Sequence, residues 1–303
     1  MSFFSIKLFV LFIFMGCTAY VQYRGRRRLK FLRQLEDHSM FMAPINCLIY
    51  LFSGVKNQPF LPVEDFPELL YLRKNWEVIR EEGLQLQAKG LIQGSTARND
   101  AAFNTFFKRG WKRFYLKWYD TAHPSAAELC PKSVEILKQV PQIKAAMFSF
   151  LPAGGKLGAH RDPYAGSLRY HLGLVTPNDD ACHIFIDGEK YSWRDGQDVL
   201  FDETYIHEAY NRTEHDRLIL FCDVARPMRT AFGKWLTAFC DRTIMRGAGS
   251  PNQAGDRTGA INQIFMYAHE LQQMGQRLKH KNRRLYYALK YSLMGLVFYW
   301  LFF

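Results

Sequence analysis

At 303 residues, with 48% hydrophobic and 16% aromatic residues, the chain is long enough for one core of ordinary size, and disordered, collagen-like and low-complexity architectures are excluded. Six scattered cysteines form no C-x-x-C pair, which argues against a disulfide scaffold or a zinc ribbon and for reduced thiols. The formal charge of +12 resolves by position: residues 1–30 and 277–303 together carry twelve Lys and Arg and no acid, so the middle is neutral and nothing in it calls for nucleic acid.

Phe3 to Tyr23 is apolar apart from Lys7, matches the length of a membrane-spanning helix, and is followed at once by RGRRRLK. A cleaved signal peptide would carry its charges first. By the positive-inside rule the basic cluster is cytoplasmic and Met1 lies outside. A third apolar patch, Met40 to Gly54, is too short to span and contains Pro44; it lies on the membrane surface or packs on the domain. Glu68 to Gly90 has helical apolar spacing, and Lys132 to Gln139 reads as a short helix begun by Pro131. Residues 31–144 are thus a helical support region.

From Ala145 the texture changes. Short β-branched and aromatic runs, AAMFSFL, LRYHLGLV, CHIFI, DVLF and RLILFCDV, alternate with turn chemistry such as PAGG, PNDD and RDGQ. Strands this short and this close predict a jelly roll over 145–230. A helical stretch follows around Trp235 and Phe239, then a polar linker, Arg246 to Gly259, and one long helix from Ile261 to Phe303 whose end, Leu285 to Phe303, is a second membrane segment or an interfacial helix. Residues 231–284 are C-terminal helices and linker. The fold class is α+β: a jelly-roll core with flanking helices and terminal transmembrane helices.

His160 and Asp162 form an H-x-D pair that an extended backbone turns to one face, and His207 lies 47 residues on. Two His and one carboxylate make the facial triad that binds Fe(II) and leaves three sites open, as a bidentate 2-oxo acid and dioxygen require. Arg217 opens an apolar strand, where a guanidinium needs an anionic partner; the distal carboxylate of 2-oxoglutarate fits, and Asp223 or Glu208 are local alternatives. Arg169 and His171 share a strand face and add a second pair of donors. Each feature alone is a common structural residue; their joint spacing singles out dioxygenase chemistry. His183 and His215 read as structural or solvated.

FMAPINCLIYLFS, GWKRFYLKWY, HRDPYAGSLRYHLGLVTPND, FDETYIHE and DRLILFCDVARP resemble the bacterial lipid A acyl-chain hydroxylases of the LpxO type, within the aspartyl/asparaginyl β-hydroxylase superfamily, over nearly the whole chain. The resemblance implies a double-stranded β-helix enzyme that uses Fe(II), dioxygen and 2-oxoglutarate to hydroxylate C-2 of a secondary fatty acyl chain of lipid A or its precursor, at the cytoplasmic face of the bacterial inner membrane. It implies His160, Asp162 and His207 as iron ligands, Arg217 as the anchor of the cosubstrate, and Ser149, His171 and Arg169 as further cosubstrate contacts. Asp162 departs from the peptide hydroxylases, which lack that carboxylate. A membrane-anchored peptide hydroxylase of the same chemistry and a non-catalytic membrane scaffold are the alternatives.

Overall fold

The computed structural model describes residues 3–30, 38–95, 99–100 and 102–302. Met1, expected beyond the membrane, and Phe303, the last residue of the second expected membrane segment, lie outside them. Helices in chain order are α1 (Phe3–Tyr23), α2 (Ala43–Phe52), α3 (Leu70–Lys74), α4 (Trp76–Ala88), α5 (Asn104–Phe107), α6 (Pro124–Leu129), α7 (Pro131–Lys138), α8 (Ala231–Cys240), α9 (Ala260–Lys281) and α10 (Arg283–Phe302). The strands are β1 (Phe60–Leu61), β2 (Lys112–Trp118), β3 (Ile143–Leu151), β4 (Lys156–His160), β5 (Ser167–Val175), β6 (Cys182–Ile186), β7 (Glu189–Ser192), β8 (Asp198–Phe201), β9 (His207–Asn211) and β10 (Arg217–Ala225).

They form two antiparallel sheets, one ordered β1-β8-β5-β10-β3-β2 and the other β4-β9-β6-β7. Period-two alternation divides the work of the larger sheet. Leu168, Tyr170 and Leu172 of β5, with Leu218, Leu220 and Cys222 of β10, pack against Ile79 and Leu86 of α4 and Leu137 of α7. The intervening residues, Arg169 and His171 on β5 and Arg217, Ile219 and Asp223 on β10, point the other way. There Ile219, Val199 and Phe201 share a core with Ile184, Ile186 and Ala209 of the smaller sheet. Covered on both faces, β5 and β10 are buried along almost their whole length. Gly173 sits on the inner face of β5, where a Cβ would meet the Arg194 carbonyl oxygen at 2.0 Å, so only glycine lets the chain pass.

Three expectations need correcting. Strand β2 falls inside the stretch 31–144 read as helical, and β1 and β2 form the two edges of the large sheet. The sheet therefore extends beyond 145–230; KRFYLKW mixes basic and aromatic residues without clean alternation, and all but Lys112 and Lys117 are buried. The polar segment Arg246–Gly259 is no loose linker. Its side chains replace backbone partners: Asn252 accepts from the Tyr115 amide at 2.7 Å and donates to the Tyr115 carbonyl at 2.8 Å, while Asp256 accepts from Ser125 Oγ at 2.6 Å. The long C-terminal helix is broken at Asn282, whose extended backbone ends α9 and whose Oδ1 accepts from the Leu285 amide at 3.0 Å. Pro131 does begin α7, and the buried Glu82 carboxylate of α4 accepts from the Lys132 and Ser133 amides at that helix start, joining two elements of the support layer.

Candidate metal and anion site between the sheets

The smaller sheet supplies the two imidazoles. His160 ends β4, His207 begins β9, and the antiparallel register sets them directly opposite each other, ring centroids 4.2 Å apart. His160 Nδ1 lies 2.7 Å from the Gly158 carbonyl and His207 Nδ1 lies 2.9 Å from the Tyr205 carbonyl. Donation to those oxygens fixes the tautomer that presents Nε2 as ligand, the usual arrangement behind a metal-binding imidazole. Burial first, and the neighbouring His160 second, push His207 down to about 3, so its ring is neutral and ready for a cation. Asp162 completes the cluster: one ligand atom from each of His160, Asp162 and His207 lies within 4.8 Å of the others. Two neutral imidazoles and a carboxylate are a donor set suited to Fe(II).

Arg169 has a different position from the one expected of it. Its guanidinium is occupied by carboxylates, Asp162 Oδ2 at 2.8 Å, Asp223 at 3.0 Å and Glu203 at 3.1 Å, because Asp223 stands directly across from it on β10. Arg169 thus holds Asp162 in place, while also lining the void that Ser149, His171 and Arg217 share. Desolvation works to raise the Asp162 carboxyl, but Arg169, His207 and His160 together hold it below the usual carboxylate range. Burial drives Glu203 well above that range and Asp223 above it.

Deeper between the sheets the chemistry inverts to unanswered donors. Arg217 is 2% exposed and, among the described residues, no carboxylate pairs with it. Asp223 is spent on Arg169, and Glu208 faces Arg27 at 3.3 Å. The Arg217 guanidinium lies 4.3 Å over the Trp193 ring and reaches Ser149 Oγ at 3.4 Å, while its Nε has no partner. Ser149 also accepts from Trp111 Nε1 at 2.9 Å. His171 has neither ring nitrogen bonded, and Trp193 Nε1 is likewise unpartnered. Burial, then the Arg169 and Arg217 cations, keep His171 well below its ordinary pKa and hence neutral. Burial also draws Arg217 down to about 10, which still leaves it charged at neutral pH. A buried cation ringed by orphaned donors is costly unless an anion belongs there.

These groups line a narrow void of about 40 Å³. A far larger cavity of about 540 Å³ runs from the same His160, Asp162 and Arg169 outward past Phe103, Phe106, Met42 and Met245. The triad thus sits at a junction, with a polar anion seat on one side and a mainly apolar groove on the other. Ser149, His171 and Arg217 meet at the deep end, while Arg169 joins the triad.

Sequence reasoning missed the way α1 is built into this site. Arg161, between the two ligands of the H-x-D pair, donates to the Val21 carbonyl at 3.0 Å and to Gln22 Oε1 at 2.9 Å, in the last turn of α1. A cation there also answers the free carbonyls of the helix end. Arg24 pairs with Asp202 and donates to Thr204 Oγ1 at 2.7 Å, bracketing Glu203, whose carbonyl accepts from the Asp162 amide at 2.9 Å. No local pattern signals these pairings, because the partners are 139 to 180 residues apart. Replacing Arg161 by Ala is expected to weaken Fe(II) binding roughly tenfold, the low end for partners that orient metal ligands, with unchanged circular dichroism. An unaltered iron titration would reduce α1 to a tether.

The pattern of the aspartyl/asparaginyl β-hydroxylase family matches residues 73–227, and the chain belongs to that family. The ornithine lipid ester-linked acyl 2-hydroxylase of Rhizobium tropici is 31% identical over 185 residues, 59% of this chain and 64% of that protein. The human aspartyl/asparaginyl beta-hydroxylase is 30% identical over 192 residues, 60% of this chain and 24% of that one. The chain thus spans less than two thirds of the length of either relative. Among solved structures, a Pseudomonas putida prolyl-4-hydroxylase aligns with 51% of this chain and 87% of its own at 17% identity, with a TM-score of 0.33.

Proposed function

We propose that the protein is an Fe(II)- and 2-oxoglutarate-dependent dioxygenase that hydroxylates C-2 of a secondary acyl chain of lipid A, working on the cytoplasmic side of a bacterial inner membrane. One observation carries the reading: a buried Arg217 without an acidic partner, set beside the His160, Asp162 and His207 cluster, with an apolar groove on the cluster's open side. When bound, iron with 2-oxoglutarate and dioxygen supplies the oxidant, so that one C–H becomes C–OH while the diacid leaves as succinate and carbon dioxide.

The chain's own residues do the rest. Arg217 and Ser149 seat the distal carboxylate of the diacid, and Arg169 fixes Asp162 Oδ2, leaving Oδ1 for the metal. Phe106, its ring 4.7 Å from that of His160, and Phe103 keep the mouth of the site dry. An acyl chain suits the groove because it asks for apolar contact and no fixed polar partner. The name of the Rhizobium relative, an acyl 2-hydroxylase of a lipid, supports the same class of substrate.

Among the described residues one helix, α1, is long and apolar enough over Ile6–Tyr23 to cross a bilayer. With the basic cluster after it, this supports membrane attachment with the catalytic domain in the cytoplasm. The test is mass spectrometry of lipid A from cells with and without the gene. Expected is one added oxygen on an acyl chain only when the gene is present. Unmodified lipid A alongside a hydroxylated peptide would transfer the same iron chemistry to a protein substrate, and a purified chain that takes up no iron would leave only the scaffold reading.

A further inference from the structure

Helix α8, AFGKWLTAFC, is amphipathic in an inverted sense: its large aromatic side chains face out. Thr230 caps it by accepting from the Gly233 amide at 3.1 Å, and Leu236 and Cys240 turn inward. Phe232, Trp235 and Phe239, spaced three and four apart, form an outward stripe 48%, 59% and 52% exposed. Their rings stack on one another at 5.8 Å and 5.8 Å, so the stripe is preformed. It does not end with the helix. Phe232 meets Phe52 of α2 edge-on at 5.5 Å, and α2 adds the exposed Leu48 and Leu51, with Phe41 in the turn before it. Gly233 permits this closeness, since a Cβ there would stand 3.1 Å from that of Phe52.

Such a surface is out of place in water. It is continuous with the apolar surface of α1, because α2 packs on α1 through Tyr50 against Tyr20 and Cys47 against the Cys17 carbonyl. The exposed charges between residues 228 and 246 are all basic, Arg229, Lys234, Arg242 and Arg246, whereas Asp241 is taken by Tyr164 and Lys144. Directly beyond α8, Ile244 and Met245 line the large groove together with Met42, which precedes α2. We propose that the α2–α8 face is a membrane-docking surface that inserts its aromatic stripe among the headgroups and upper acyl carbons of an anionic bilayer, placing the mouth of the groove at acyl-chain level. Aromatic residues favour that depth, and each basic side chain on the rim is drawn to an anionic surface. Insertion stands apart from the hydroxylase reading; delivery of a substrate chain to the groove rests on it.

The test needs neither iron nor turnover, so it fails or succeeds independently of that reading. The full chain is placed in nanodiscs of anionic phosphatidylglycerol, with or without lipid brominated on the upper acyl carbons, and the fluorescence of Trp235→Phe is subtracted from that of the wild type to isolate Trp235. The expected result is that bromolipid quenches at least half of this component and that acrylamide reaches it poorly. Phe239→Ser, which keeps Trp235 as the probe, should raise acrylamide access several-fold. A Trp235 component indifferent to bromolipid overturns the proposal, whether it is open to acrylamide or shielded by a second copy of the chain.

Discussion

Replacing His207 by Ala removes iron and turnover together while both sheets remain. The ring is one of three protein ligands, and it enters the site from the first residue of β9, directly across the ladder from His160. Loss of a ligand leaves one imidazole and one carboxylate, and even changes to residues that merely orient ligands cost ten- to a hundredfold in metal affinity. Anaerobic reconstitution followed by metal analysis is therefore expected to give about one iron per wild-type chain and, by that scale, under about a tenth in His207→Ala or His160→Ala. The fold survives because the ring's structural work is small: a contact to the Tyr205 carbonyl and packing against the His160 and Phe201 rings, within the roughly 0.5–3 kcal/mol of most single substitutions. Circular dichroism superimposable on the wild type, with iron absent, is the expected pair of observations. Stoichiometric iron in both variants would dismantle the triad.

The strands that hold the site could be read from the sequence wherever one residue in two faces the helices. The runs LRYHLGLV and RLILFCDV do this, and their structural counterparts β5 and β10 differ from them by one residue at an end. Three other strands carried no comparable run. KLGAH of β4 and HEAYN of β9 are short and polar because one face lines a cavity, and KRFYLKW of β2 has no clean alternation. The H-x-D pair and His207 were legible as chemistry, but the register that sets His160 directly opposite His207 is not encoded in local pattern.

Arg169 and Arg217 show the limit most clearly. Both are strand arginines with inward side chains, and their sequence contexts do not tell them apart. Cross-strand pairing decides: Asp223 stands opposite Arg169, whereas Leu151 stands opposite Arg217. One guanidinium is thereby engaged in holding Asp162, and the other is left without an acidic partner among the described residues. The roles of Trp193 and Trp111 had no sequence signal, since an unpartnered indole N–H and a hydrogen bond to Ser149 arise only when distant segments close on one void.

That unpaired arginine gives the sharpest biochemical test. Arg217→Ala is expected to raise the apparent KM for 2-oxoglutarate by roughly thirtyfold to several thousandfold, the equivalent of about 2–5 kcal/mol for truncating one member of a buried charge pair. Apoprotein stability should move the opposite way from an ordinary core deletion. With no anion bound, Arg217 is a desolvated cation held by the Trp193 face and a long contact to Ser149, so its removal relieves a burial cost that offsets the cavity left behind. Thermal unfolding of the variant without cosubstrate is expected at or above the wild-type temperature, and added 2-oxoglutarate should stabilise only the wild type. Arg217→Lys separates charge from shape: a lysine keeps the positive charge but loses the planar fork that grips a carboxylate with two parallel bonds, so its KM should fall between the other two. An unchanged KM in Arg217→Ala would break the assignment and move the anchor role to Arg169, which lines the same void.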